Sequence, residues 1–446
     1  MNKYSKSIIT ASIIVAVGLS GCSGSTANET VTYTTVDVPA QTTVVSDPYA
    51  APVETISMSD EEMAEWIAND GTSASETDTI DDEDIFVESR TNDDFDCIVY
   101  TKHIEIAAYV GNSTKVDIPA EIDGLPVTIL HDCFQDNDRL VSVTIPEGVV
   151  SINNGAFSSC DNLTNITLPS TLTYLGNAFR GCKYLDSVVI PEGITEIQSE
   201  TFYGCKNLKS VVIPESVIKI GEKAFYGCES IEEMIFPTNV ASVGKEAFYE
   251  CSGLKEVIFS ENLSELAVRA FCGASSLEKV EFNNCSIEEI PYGCFAACSE
   301  LRYITINSNV KIIDKEAFYG CESIKKVVFP DILEEIRNSA FANCSSFNTI
   351  TLPESLITLG ERAFQSSGLT EVVIPQNIIE IPDYCFCGCE LLKTVILPDT
   401  LLSIGYCAFS DCELLQICKI PDSVREIDGR AFSDCDNLRS TIPELD

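Results

Sequence analysis

The chain has 446 residues, with 69 acidic and 28 basic side chains and a formal net charge of −41. Nucleic-acid binding needs clustered cations to neutralise phosphates, so this balance argues against it, and an anionic membrane surface repels the chain as a whole. The plain reading of the charge is solubility and mutual repulsion.

The N-terminus reads as an export signal. Lys3 and Lys6 give a basic start, and residues 8–19 form an apolar run too short to cross a bilayer core of about 30 Å as a helix. Leu19-Ser20-Gly21-Cys22 follows and resembles the lipobox of bacterial lipoproteins. The resemblance implies cleavage after residue 21 and a lipid on the Cys22 sulfur. Each buried lipid CH₂ contributes about 0.8 kcal/mol, so two or three acyl chains hold the protein firmly. Lipid is then the expected membrane attachment.

Residues 22–94 read as an acidic, Ser/Thr-rich tether: residues 1–94 carry 18 acidic and 3 basic side chains. Such a stretch buries too little apolar area to offset its ordering entropy. Ser59 and Glu62 have capping-box spacing, and Met63, Trp66 and Ile67 share a face, which predicts a short helix over 59–68. It reads first as a transient helix in a linker and second as a docking peptide.

Residues 95–130 read as an N-terminal capping hairpin, and the repeats fill 131–446. One phenylalanine recurs fourteen times from Phe134 to Phe432, at spacings of 22, 23 or 24. A fixed period of this size marks a solenoid. Alanine precedes the Phe in ten units, and Cys follows it by three in eleven; Asn137, Ala274 and Ser367 are the exceptions. Then comes an alternating stretch such as Leu208-Lys-Ser-Val-Val-Ile-Pro214, which predicts a strand with one buried face. The proline ends the ladder because it has no N–H.

The pattern Ala-Phe-x-x-Cys-x-x-Leu-x-x-Ile-x-Ile-Pro resembles the BspA-like class of leucine-rich repeats. The resemblance runs from about residue 95 onward and includes Ile122-Asp-Gly-Leu-Pro-Val-Thr128, which looks like the leading hairpin of such arrays. It implies a right-handed, β-rich leucine-rich-repeat solenoid of about fourteen units. It also implies a bacterial surface protein that adheres to host matrix proteins, host cells or other bacteria, and it supplies no catalytic residues. The chain departs from the pattern at Ser260, Asn283 and Asn307, where Pro is expected, and in the 24-residue unit between Phe271 and Phe295.

The 21 cysteines suggest disulfides in an exported protein. Their position argues otherwise: eleven share one repeat position, where a thiol acts as a small hydrophobe able to bond a carbonyl of the neighbouring turn. A buried, reduced ladder is expected, with disulfides between adjacent turns the competing reading. Cys385-x-Cys387-x-Cys389 mimics a metal site, but two of its members are ordinary repeat positions, so neither metal nor cofactor is expected. His103 and His131 have no nucleophile motif around them, and no phosphate loop is present. The expectation is a binding protein and not an enzyme.

In leucine-rich folds partners meet the exposed side of the strands. One exposed column includes Glu233, Glu256, Lys279, Tyr303 and Lys326, and a second includes Ile235, Ile258 and Glu281. These eight residues form the candidate partner site, because most other units offer Ser, Thr or Val there. The expected partner is a host matrix or cell-surface protein. A glycan is the alternative, weakened because Tyr303 is the only aromatic in either column.

Overall fold

The computed structural model describes residues 84–439. Cys22 and the helix expected over 59–68 lie outside these residues. Among the described residues, no helix is long and apolar enough to cross a membrane.

The described residues open with a hairpin. Strand β1 (Phe86–Asn92) pairs antiparallel with β2 (Phe95–Tyr100), which pairs antiparallel with β3 (Ile104–Tyr109). The turn between β1 and β2 uses Asp93 at φ 48°, a left-handed conformation that Asp tolerates better than most residues. The composition assigns 86–92 to the tether; the structure makes these residues a strand. Most of β1 is exposed, so it has no apolar face for a sequence to advertise. The ladder to β2 holds it, with Phe86 edge-on to Tyr100 at 6.2 Å and Arg90 bonded to Asp123.

From β3 the chain passes into the solenoid. Most units contribute two short strands, and these pair in parallel with their counterparts one unit away. In the first column Val188 sits beside Val211 and Val280 beside Ile304. In the second, two-residue strands repeat from Ser151–Ile152 to Glu426–Ile427. The first column is assigned as strand over five units up to Ser210–Val212, then from Glu256–Phe259 to Tyr303–Thr305, and again from Glu371–Val373 to Ile417–Cys418. Single bridges, Thr305 to Val328 and Lys326 to Thr349, carry it between the last two blocks. Residues 232–236 alternate as a strand should, yet form none. Glu232 and Glu233 stand together there, and Glu233 shares its column with Glu256. Like charges at neighbouring sheet positions disfavour pairing.

The phenylalanine column is the spine of the core. Rings from Phe134 to Phe432 stack face to face in thirteen successive pairs, with centroids 5.0–5.7 Å apart and planes within 11°. All but the last are essentially inaccessible to solvent. Eleven of the fourteen rings sit in a corner made by left-handed residues two positions before and after, as with Lys223 and Gly227 around Phe225; Phe134, Phe179 and Phe432 have only the one after. The small residue before the Phe is forced by this packing. Thr201, the one threonine there, bonds its hydroxyl to the carbonyls of Gly176 and Gln198. Gly221 is required by close approach, since a Cβ there would lie 2.6 Å from the Ser199 nitrogen.

The thiol ladder forms as expected. Each of the eleven repeat-position cysteines directs its Sγ at the carbonyl oxygen of the Phe one unit earlier, at 3.0–3.3 Å. The twenty cysteines among the described residues form no disulfide with one another. Burial pushes the thiols of Cys160, Cys344 and Cys389 up to about 12. The exceptional Ser367 bonds forward to Cys389 instead, at 3.3 Å.

Candidate binding face

Alternation along each first-column strand buries the middle residue and leaves its neighbours outside, as in Ser187–Val189 and Glu371–Val373. The second exposed column is apolar for much of its length. Val189, Val212, Ile235, Val328, Val373 and Ile396 are each more than half exposed, and Ile235 reaches 84%. Parallel register sets Val189 beside Val212 and Val373 beside Ile396, so the column makes an apolar stripe interrupted at Glu281 and Thr305.

Five of the expected site residues lie on consecutive registered strands: Glu256 beside Lys279 beside Tyr303, and Ile258 beside Glu281. Lys279 joins the charges, holding Glu256 at 2.6 Å and Glu281 at 2.9 Å. Tyr303 is 66% exposed. Lys326 follows it in the column through the bridge at Thr305. Glu233 and Ile235 sit on the non-strand segment two units before Lys279. The residue just before each strand was not among the candidates, yet Arg302 and Lys325 occupy that position and border Tyr303.

A second aromatic feature lies at the residue after the core Phe. Tyr203, Tyr226 and Tyr249 stack with centroids 4.8 Å apart. The Arg180 guanidinium covers the free face of Tyr203 at 4.6 Å. The repeat spacing carries this signal, since all three follow a column Phe directly. Stacking occupies both faces of Tyr226, and Arg180 and Tyr226 occupy both faces of Tyr203.

The two histidines converge on one buried carboxylate. His131 Nε2 lies 2.6 Å from one Glu105 oxygen, and His103 Nε2 lies 3.4 Å from the other. Asp84 bonds His103 on its far side, Tyr100 stacks on that ring at 4.6 Å, and Asn153 meets His131 Nδ1 at 3.3 Å. Burial alone pushes Glu105 up, but the hydrogen bonds and charges of His131 and His103 outweigh it and hold the carboxyl low. The bond to Glu105 holds His131 above its ordinary value, against burial. Among the described residues the two histidine rings bond Asp84, Glu105 and Asn153, so the cluster clasps the hairpin to the first units. Among the described residues, no group of three or more His, Cys, Asp or Glu side chains is arranged to hold a metal ion.

No curated protein matches the chain. Among solved structures, a leucine-rich repeat protein from Bacteroides ovatus superposes with a TM-score of 0.59, at 23% identity over 81% of this chain and 93% of that one. A leucine-rich cell-surface protein from Faecalibacterium prausnitzii is 22% identical over 78% of this chain and 98% of that one, with a TM-score of 0.43. The pneumococcal vaccine antigen PcpA is 16% identical over 79% and 96%, with a TM-score of 0.41. The Bacteroides protein shares the fold. The family described as BspA type leucine-rich repeat region, in six copies, matches residues 108–232, 218–344 and 311–439. With its phenylalanine spine, thiol ladder and paired strand columns accounted for, the chain belongs to the BspA-type leucine-rich repeat family.

Proposed function

We propose that this protein is an exported, lipid-anchored binding module of the bacterial cell surface, an adhesin whose strand face engages a host matrix or cell-surface protein. The observation that carries the reading is the exposed apolar stripe. Exposed apolar surface clustered on one face marks an interaction site, and charged neighbours such as Lys279 and Glu281 would give it a polar rim. Family membership supports a binding role over catalysis. The lipobox-like segment at Cys22 supports the anchor, and the acidic stretch after it supports a tether that lifts the array from the membrane. A glycan partner has less support, because Tyr303 is one aromatic where a sugar site usually needs a platform.

Two experiments test this. Cys22→Ala should move the protein from the membrane to the soluble fraction; unchanged membrane association would refute the anchor. A screen against matrix proteins and glycans should then yield a protein ligand. Tyr303→Ala should weaken its binding by at least about 1 kcal/mol, while Thr167→Ala leaves it unchanged. Equal affinities for both variants and wild type would move the site off this part of the face.

A further inference from the structure

Beyond Tyr303–Thr305 the strand face hollows. Arg302, Tyr303, Thr305, Lys325, Lys326 and Val328 line an open basin of about 380 Å³. The charges around it are unevenly matched. Arg302 is neutralised by Glu300 at 2.6 Å and Glu278 at 3.5 Å. One unit earlier, Lys279 takes up Glu256 and Glu281. Lys325 and Lys326 are exposed, and among the described residues neither makes an ion pair. A chain of net charge −41 thus places two adjacent uncompensated ammonium groups beside its most exposed strand-face tyrosine. Val328, 64% exposed, completes an apolar wall next to them.

We infer that this basin receives an acidic peptide segment of the protein partner, a reading that rests on the strand-face function proposed above. A carboxylate of the segment pairs with Lys325 and Lys326, and an adjacent apolar side chain lies on Tyr303 and Val328. Charge complementarity selects the occupant. At physiological salt, exposed charges further apart than about 8 Å are largely screened. The acidic remainder of the chain therefore does not cancel two lysines at contact distance. Complementary charge of this kind sets specificity and association rate. The apolar wall favours a peptide over a sulfated glycan, which would use the lysines and leave Tyr303 and Val328 uncovered.

The test uses the full chain and two fluorescein-labelled peptides, one alternating Glu with Phe and one alternating Lys with Phe. The Glu peptide should bind saturably and more weakly as salt rises, and the Lys peptide should not bind. Lys325→Glu/Lys326→Glu should weaken the Glu peptide about tenfold or more. Equal binding of the two peptides, absent binding of the Glu peptide, or unchanged affinity in the double variant overturns the proposal. Preferential binding of heparin over the Glu peptide also overturns it and assigns the basin to a sulfated glycan. A protein ligand lost on Ile258→Glu but indifferent to the lysine reversals overturns the basin and keeps the strand face. A ligand indifferent to both variants overturns both readings.

Discussion

Cys182 donates its thiol hydrogen to the carbonyl oxygen of Phe157, 3.0 Å away and one unit back along the chain. That carbonyl also accepts the Cys160 amide at 3.1 Å, so the thiol fills its second lone pair and ties one turn to the next. The thiol is small enough to fit and apolar enough to be buried, which explains its recurrence without invoking a disulfide. Cys228→Ala should therefore cost about 1–2 kcal/mol, from the lost thiol bond to the Phe202 carbonyl and a small void. Thermal melting checks the loss. Iodoacetamide labelling of the native protein should reach the part-exposed Cys272 and Cys387 before any ladder cysteine. Labelling should be slow even there, because burial pushes both thiols up to about 11. Rapid labelling of Cys228 in the native state would contradict the buried ladder.

Phe225 stacks between Phe202 at 5.3 Å and Phe248 at 5.1 Å. Phe225→Ala should cost roughly 3–5 kcal/mol, as for buried aromatics generally. Repeat stability is a nearest-neighbour property, so the damage should stay local. Limited proteolysis should cut first near residue 225 and leave fragments on either side intact. Unaltered protease resistance would show that the ring does not bear on stability.

The left-handed corners can be tested without disturbing contacts. Gly227 has φ 67°, and a Cβ added there meets no atom closer than 3.9 Å. Gly227→Ala should thus report backbone strain alone, at about 1 kcal/mol. Glu250 holds the equivalent position at φ 55°, and Glu250→Gly should recover a similar amount. Melting temperatures of the two variants should move in opposite directions.

The Glu105–His131 clasp makes the N-terminal hairpin pH-sensitive. Glu105 has a lowered folded value, so its contribution is present above its ordinary 4.5 and fades as pH falls through the folded value. His131 has a raised value, so its contribution is complete below its ordinary 6.5 and fades as pH rises through the folded value. The clasp should be tightest between these limits. Hydrogen exchange of the β1–β3 amides, corrected for intrinsic rates, should show greatest protection there. His131→Gln should abolish the loss on the alkaline side; an unchanged profile would refute the assignment.

The repeat was legible because one residue type recurs where the core admits one shape. Phe at a spacing of 22–24 fixed both the period and the buried column, and the alternation of Leu208 to Pro214 fixed the exposed face. β1 was illegible because backbone pairing, with little apolar burial, holds it. The missing strand at 232–236 was illegible because its alternation is correct, and the like charge, Glu256, belongs to the neighbouring unit. Lys325 precedes the alternating positions, so the period-two pattern does not mark it. The convergence of His103 and His131 on Glu105 joins positions up to 28 residues apart, and no motif announces it.

The unit between Phe271 and Phe295 carries one residue more than its neighbours, and Asn284, at φ 52°, marks a left-handed residue in it just after the strand Lys279–Phe282. The stacked rings on either side of that unit stay at 5.6 Å. A single extra residue is therefore absorbed on the loop between the two strand columns and is not transmitted along the spine. An insertion inside Ala270-Phe271, by contrast, would shift ring, thiol and strand out of step with both neighbours at once. Change in this molecule is thus quantised: whole units can be gained or lost, loops can stutter by one, and the corner around each ring admits neither.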